Sequence, residues 1–112
     1  MNNLQSGSVV VPVLYCDDDV IAVNKPAGVT VFSAPGYLPG TLSQIVLDAG
    51  ISLFDGPELE LPGVVHRLDK DTSGTMVLAR SEAGWLCIKK QVQAHEMQKT
   101  YIALVRGGFL EQ

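Results

Sequence analysis

The chain has 112 residues and a formal net charge of −4, with 46% hydrophobic and 18% charged residues. This length supports one domain with a modest core, and this composition excludes a chain that is disordered throughout. No apolar run reaches the length of a membrane span, and the polar start "MNNLQSGS" lacks the features of a secretory signal sequence.

Charge is unevenly distributed along the chain. Residues 1–60 contain one basic and seven acidic residues, whereas residues 61–112 contain seven basic and five acidic residues. We therefore expect any surface for nucleic acid to come mainly from the second half. The counts alone favour the simpler interpretation that these are solvated surface charges.

The two cysteines, Cys16 and Cys87, are too few for a disulfide scaffold. We expect reduced thiols and a cytoplasmic protein. With His66 and His95 they supply ligand types that zinc accepts, but none of them has metal-ligand spacing. The sequence therefore predicts no metal site.

The first predicted elements form a hairpin. In "VVVPVLYCDDDVIAVNKPAG" two β-rich runs flank a turn at residues 17–19. The second strand ends at Lys25, because Pro26 cannot donate a ladder hydrogen bond. Residues 29–40 contain two prolines and two glycines and are predicted to be a loop.

A short helix follows. Thr41 and Gln44 have the spacing of a capping box, and Gly50 is a plausible stop. One face of this helix comprises Leu42, Ile45, Val46 and Ala49. Residues 52–63 are again predicted to be a loop.

The second half completes an α+β pattern. Strands are predicted from Val64 to Leu68 and from Thr75 to Arg80, and Ser81 caps a helix that Gly84 weakens. A last strand is predicted at "TYIALVR". The expected fold is a mixed, mainly antiparallel sheet with flanking helices, without repeats or an internal domain boundary.

The stretch "GVVHRLDKDTSGTMVLAR" places five ionisable residues between two apolar runs. Residues two apart in a strand point the same way, so Arg67 and Asp69 share a side at a strand end. Strand ends often carry chemistry, because the scaffold is rigid and the tip is open. Spacing alone favours the alternative that an Arg–Asp pair only ties the turn.

Three stretches together resemble RNA pseudouridine synthases of the branch that modifies large-subunit ribosomal RNA and some transfer RNA. "HRLDKDTSG" is similar to the family signature, "DDDVIAVNKPAGVTV" to its first segment and "QKTYIALVRG" to its Lys-x-Tyr strand. They occur in family order and cover nearly the whole chain. The resemblance implies a partial catalytic domain at residues 13–112, preceded by an N-terminal extension at residues 1–12.

The family reaction breaks the N-glycosidic bond of uridine, rotates the base and rejoins it through carbon, without a metal or redox cofactor. The resemblance makes Asp69 the catalytic carboxylate, either as nucleophile or as base. The target uridine leaves its stack to reach that carboxylate. Arg67 would hold the opened RNA, and Tyr101 would lie against the flipped base.

The other motif residues are expected to support this site. The ammonium of Lys25 would bond carbonyls behind the active-site strand. His66 is expected to be a scaffold histidine rather than a general base. Thr72 caps the turn, and Gly74 provides a positive φ.

The chain also departs from the family pattern. Val92 and His95 occupy places where many relatives carry an aromatic residue and an arginine, which implies a weaker phosphate contact. The chain stops before the segment that supplies the basic partner of the catalytic aspartate and a wall of the uracil pocket. We therefore expect little catalysis from these residues alone, RNA as partner, no membrane, and homo-oligomers formed through an exposed sheet edge or apolar surface.

Two other functions remain open at this point. The first is a non-catalytic RNA-binding or interaction module that keeps the scaffold. The second is a glycoside hydrolase, which is disfavoured because that reaction usually needs two carboxylates flanking one bond. Only Asp69 is placed by a motif.

Overall fold

The computed structural model describes residues 3–31, 40–59 and 61–95. In chain order the elements are β1 (Asn3–Ser6), β2 (Val9–Cys16), β3 (Val20–Lys25), α1 (Leu42–Asp48), β4 (Gly74–Ala79) and α2 (Glu82–Gln93). This mixture of strands and helices confirms the predicted α+β class.

The strands of the described residues form one sheet in the order β1-β2-β3-β4, with every neighbouring pair antiparallel. β1 pairs with β2 so that Leu4 lies opposite Val11, and both side chains are buried. Residues 3–6 and 9–12, which lie within the expected extension, therefore belong to the sheet, and Leu4 and Val11 contribute to its core. The expected boundary at residue 12 falls inside β2.

The predicted hairpin of β2 and β3 is confirmed, and Asp17 organises its turn. The Asp17 carboxylate accepts the Tyr15 hydroxyl at 2.6 Å and the backbone amides of Asp19 and Val20 at 2.8 Å each. The Tyr15 hydrogen bond, followed by the two amides, lowers the pKa of Asp17. The end of β3 also agrees with the sequence, since β3 stops at Lys25 before Pro26.

Helix α1 covers the core face of the sheet. Its N-cap Thr41 accepts the Gln44 amide at 3.3 Å, as predicted, while the Gln44 side chain donates to Asp48 instead of completing the capping box. Gly50 follows the helix with a φ of 85°. The buried cluster joins residues of α1 to residues of β3 and β4, namely Leu42, Ile45, Val46, Ile21, Val23, Met76 and Leu78.

Helix α2 begins after Ser81, whose hydroxyl accepts the Gly84 amide at 3.0 Å, as predicted. Ile88 is buried. Gly84 is also buried, and a Cβ atom at this position would overlap the backbone carbonyl of Asp19. The glycine that weakens the helix by propensity therefore permits close packing of α2 on the β2–β3 turn.

The predicted strand from Val64 to Leu68 is wrong. The chain is bonded to β4 at Gly63, where the Ala79 amide donates to the Gly63 carbonyl at 2.9 Å. It then turns, because the Val64 amide bonds the Leu61 carbonyl rather than a neighbouring strand. Apolar residues suit a strand only where a ladder partner exists, and here the segment leaves its partner after one bond.

The predicted last strand, "TYIALVR", lies outside the described residues. Among the helices that the structure describes, none has the length and apolar character needed to cross a membrane.

Candidate active site

Asp69 lies on an exposed loop that leads into β4. The side chains of Arg67, Asp69, Lys70 and Asp71 are all exposed. The Thr72 amide donates to the Asp69 carbonyl at 3.0 Å and closes a turn. Leu68 packs against the core from the same loop. The loop therefore combines an apolar anchor, Leu68, with two exposed carboxylates, Asp69 and Asp71.

Gly74 ends this loop with a φ of 151°, which side chains rarely adopt. A Cβ atom here would lie 3.3 Å from Cδ1 of Leu68. In the sheet register Gly74 pairs with Lys25, so the loop and the end of β3 meet at the same edge.

The Lys25 side chain is fully buried and joins two loops. Its Nζ donates to the backbone carbonyls of Pro26 at 3.0 Å, Val29 at 2.8 Å and Lys70 at 2.9 Å. The Gly28 amide donates to the same Lys70 carbonyl at 2.8 Å. The loop after β3 and the loop that carries Asp69 are thus fastened at one backbone carbonyl, with contacts of the kind that the sequence leads us to expect for Lys25.

The charge of the buried Lys25 ammonium interacts with the carboxylates of Asp71 and Asp69. Burial lowers the pKa of Lys25, because the charged form is poorly solvated there. The charges of Asp71 and Asp69 oppose that shift by favouring the ammonium. The Lys25 ammonium therefore binds the backbone of the loop and also interacts favourably with the Asp71 and Asp69 carboxylates.

His66 connects the start of the loop to β4. Its Nε2 accepts the backbone amide of Val77 at 3.2 Å. This contact agrees with a scaffold role. All of the predicted site residues in the described ranges thus lie in the loop or against it, namely Lys25, His66, Arg67, Asp69, Thr72 and Gly74, while Tyr101 lies outside the described residues.

Sequence reasoning missed a second network, at the other end of β4. The Arg80 guanidinium donates to the carbonyls of Asp17 at 2.7 Å and Ser52 at 3.0 Å, and the Arg80 amide donates to the Asp19 carbonyl at 2.7 Å. This Arg80 network braces the scaffold rather than the Asp69 loop. In the sequence, the only indication of the network is an arginine placed directly after an apolar strand.

Sequence reasoning also missed the Lys70 carbonyl, since a backbone acceptor leaves no signature in the sequence. Within residues 3–31, 40–59 and 61–95, no three histidine, cysteine or acidic side chains are grouped closely enough to hold a metal ion.

Comparisons with known proteins place these features in a family. A family model described as RNA pseudouridylate synthase matches residues 19–112, which include Lys25 and the whole Asp69 loop. An uncharacterised RNA pseudouridine synthase of Aquifex aeolicus is 37% identical over 100 residues, or 89% of this chain and 32% of that protein. A similar protein of Chloroflexus aurantiacus is 49% identical over 84 residues, or 75% of this chain and 26% of that protein.

A relative with a more specific name is the ribosomal large subunit pseudouridine synthase D of Xanthomonas campestris. It is 41% identical over 98 residues, which are 88% of this chain and 29% of that protein. The chain thus spans about a third or less of the length of these relatives. The family match covers far more than half of the chain and includes the motif residues quoted above. The chain therefore belongs to the RNA pseudouridylate synthase family.

Proposed function

We propose that this chain forms the aspartate-bearing part of an enzyme that isomerises uridine to pseudouridine in ribosomal or transfer RNA. The observation that carries the proposal is the exposed carboxylate of Asp69, on a loop whose backbone is held by the buried ammonium of Lys25. Family membership and the names of the relatives support the reaction class. An RNA substrate also supports a cytoplasmic location.

The isomerisation balances without an oxidant, a reductant or a second substrate. The bond between N1 of uracil and C1′ of the ribose breaks, and a bond between C5 and C1′ forms. The C5 hydrogen leaves as a proton, and N1 takes up a proton. In this proposal Asp69 attacks the sugar or the base, or accepts that proton, once the uridine has flipped out of its stack.

The neighbours of Asp69 would position the RNA. Arg67 is exposed two residues before Asp69, where a guanidinium can contact the phosphate backbone next to the flipped nucleotide. Tyr101 would stack on the flipped base. Because the chain spans a third or less of its relatives, we propose that other parts of the enzyme supply the basic partner of Asp69 and a wall of the uracil pocket.

Release of tritium from RNA that contains 5-tritiated uridine tests this function in the complete gene product. RNA from cells that lack the gene provides unmodified target sites. We expect Asp69→Asn to reduce the rate of release by about 10²–10⁴-fold or more, because the reacting carboxylate is lost. Asp71→Asn is the matched control, since it removes an exposed carboxylate two residues away and leaves the motif aspartate in place.

Binding to the same RNA should survive in both variants. Release that persists in Asp69→Asn would contradict the assignment. RNA binding without release by the wild type would instead indicate a non-catalytic RNA-binding module, and free uracil as the product would indicate a hydrolase.

We also propose that residues 1–112, prepared alone, associate with a second copy. β1 is an outer strand of the described sheet, and β2 exposes 42% of Val10, 50% of Leu14 and 49% of Tyr15. Open edges and apolar surface both favour association. Sedimentation should give the mass of a dimer that dissociates on dilution, whereas a monomer at all concentrations would contradict this proposal.

A further inference from the structure

The outer edge of β4 is bonded in two different ways. At Ala79 the partners are backbone groups: the Ala79 amide donates to the Gly63 carbonyl at 2.9 Å, and the Ala79 carbonyl accepts the Phe54 amide at 3.0 Å. Two residues earlier, the Val77 amide donates to Nε2 of the His66 imidazole at 3.2 Å. An imidazole thus occupies the place where a neighbouring strand would present a carbonyl.

Because an imidazole rather than a backbone carbonyl accepts the Val77 amide, the residues that follow His66 take a different path. A carbonyl at this position would bring the backbone of residue 66 into the sheet and continue the ladder into the following residues. The imidazole instead sets the backbone one side chain's length from β4 while keeping it attached. Arg67 follows directly, and Asp69 follows two residues later on the exposed loop.

We infer that His66 is a positioning residue for the reaction, and that its neutral imidazole holds the start of the Asp69 loop at β4 by accepting the Val77 amide. This inference rests on the proposed function for its effect on turnover, whereas the contact itself does not depend on it. His66 touches no reacting atom in this role and acts through Asp69.

The role fixes the protonation state of the imidazole. Nε2 can accept a hydrogen bond only while it carries a lone pair, so the proton of the neutral ring lies on Nδ1. In the imidazolium form both nitrogens are donors, and the Val77 amide loses its acceptor. Acidification should therefore release the start of the loop.

In the part of the chain that the structure describes, the elements that contact β4 or follow His66 carry charged side chains. Residues 52–59, which bond to β4 through the Phe54 amide, contain Asp55 and Glu58. β4, with the sequence GTMVLA, contains no ionisable side chain, and neither does the preceding stretch at residues 61–65. The charged side chains of the loop and of α2, which packs on β4, are Arg67, Asp69, Lys70, Asp71, Glu82, Lys89 and Lys90, of which Lys89 is paired with Glu58 at 2.7 Å.

Two substitutions in the complete gene product separate acceptor chemistry from simple loss of packing. In His66→Gln the side-chain oxygen lies four bonds from Cα, as Nε2 does, and accepts a hydrogen bond at every pH. His66→Ala removes the acceptor and leaves the Val77 amide without this partner. At pH 8 we expect kcat/KM of His66→Gln to lie within about threefold of the wild type, and that of His66→Ala to fall at least about tenfold.

The pH profile provides the second readout. Accepting the Val77 amide favours the neutral ring, and the imidazolium cannot accept it, so the ratio of kcat/KM of the wild type to that of His66→Gln should fall as the pH is lowered from 8 to 5.5. Parallel profiles of these two proteins would overturn the inference. So would His66→Ala with wild-type turnover, or His66→Gln that is as slow as His66→Ala.

Hydrogen exchange of the Val77 amide, followed by NMR without RNA, tests the contact independently of turnover. At pH 8 the amide should be protected in the wild type and in His66→Gln and exposed in His66→Ala. At pH 5.5 the wild type should be less protected than His66→Gln. Equal protection in all three proteins would overturn the inference, whereas a wild type that releases no tritium would overturn the proposed function and leave the exchange result to decide the contact.

Discussion

Lys25 is the residue that most clearly connects the fold to the candidate site. Burying an ammonium is costly unless hydrogen bonds and opposite charges compensate for lost water. Here three carbonyls accept its protons, and the charges of Asp71 and Asp69 favour its charged form. The same group therefore stabilises the fold and fixes the backbone from which Asp69 projects.

Lys25→Met in the complete gene product should lower the free energy of unfolding by about 2–4 kcal/mol, because the carbonyls of Pro26, Val29 and Lys70 each lose a charge-assisted hydrogen bond and the buried Val29 carbonyl loses its donor. The expected loss refers to unfolding in urea, monitored by circular dichroism. Lys70→Met is the matched control, since it removes an exposed ammonium and leaves the Lys70 carbonyl in place. Equal stability of the two variants would contradict the role assigned to Lys25.

At the scale of elements, the sequence predicted correctly the turns and helix caps that are formed by residues close together in the chain. The turn at residues 17–19, the cap at Thr41 and the cap at Ser81 all appear where the sequence placed them, because each depends on neighbours within four residues. The prediction of a strand from Val64 to Leu68 is wrong, because the chain leaves β4 after Gly63 and is bonded to it again through the His66 side chain, which accepts the Val77 amide. The importance of Gly84 was equally invisible, since Asp19 lies far from it in sequence.

Gly84→Ala should destabilise the protein, although the same change in an isolated helix gains about 1 kcal/mol. The new methyl group would overlap the Asp19 carbonyl, and overpacking of this kind costs about 1–3 kcal/mol. Ala83→Gly at the neighbouring exposed position measures the propensity effect alone, with a loss of about 1 kcal/mol. A higher midpoint of thermal unfolding for Gly84→Ala would contradict the close packing seen between α2 and the hairpin turn.

At the scale of the whole molecule, the two ends of β4 have different tasks. Arg80 braces the hairpin turn and residue 52 at one end, and Lys25 holds the Asp69 loop at the other, while His66 bonds the strand between them at Val77. The motifs in the sequence singled out Asp69, Lys25 and His66, but not the Lys70 carbonyl that Lys25 binds or the Val77 amide that His66 accepts. Those partners are backbone groups brought close by the fold, and only three-dimensional structure reveals them.

Pseudouridine mapping in cells tests most directly the proposal that Asp69 carries the pseudouridine-forming activity of the complete protein. Ribosomal and transfer RNA from a strain that lacks the gene should miss pseudouridine at one or more positions. Complementation with the wild type or with Asp71→Asn should restore those positions, whereas Asp69→Asn, present at an equal protein level, should leave them as uridine. Restoration by Asp69→Asn to the wild-type extent would contradict the account.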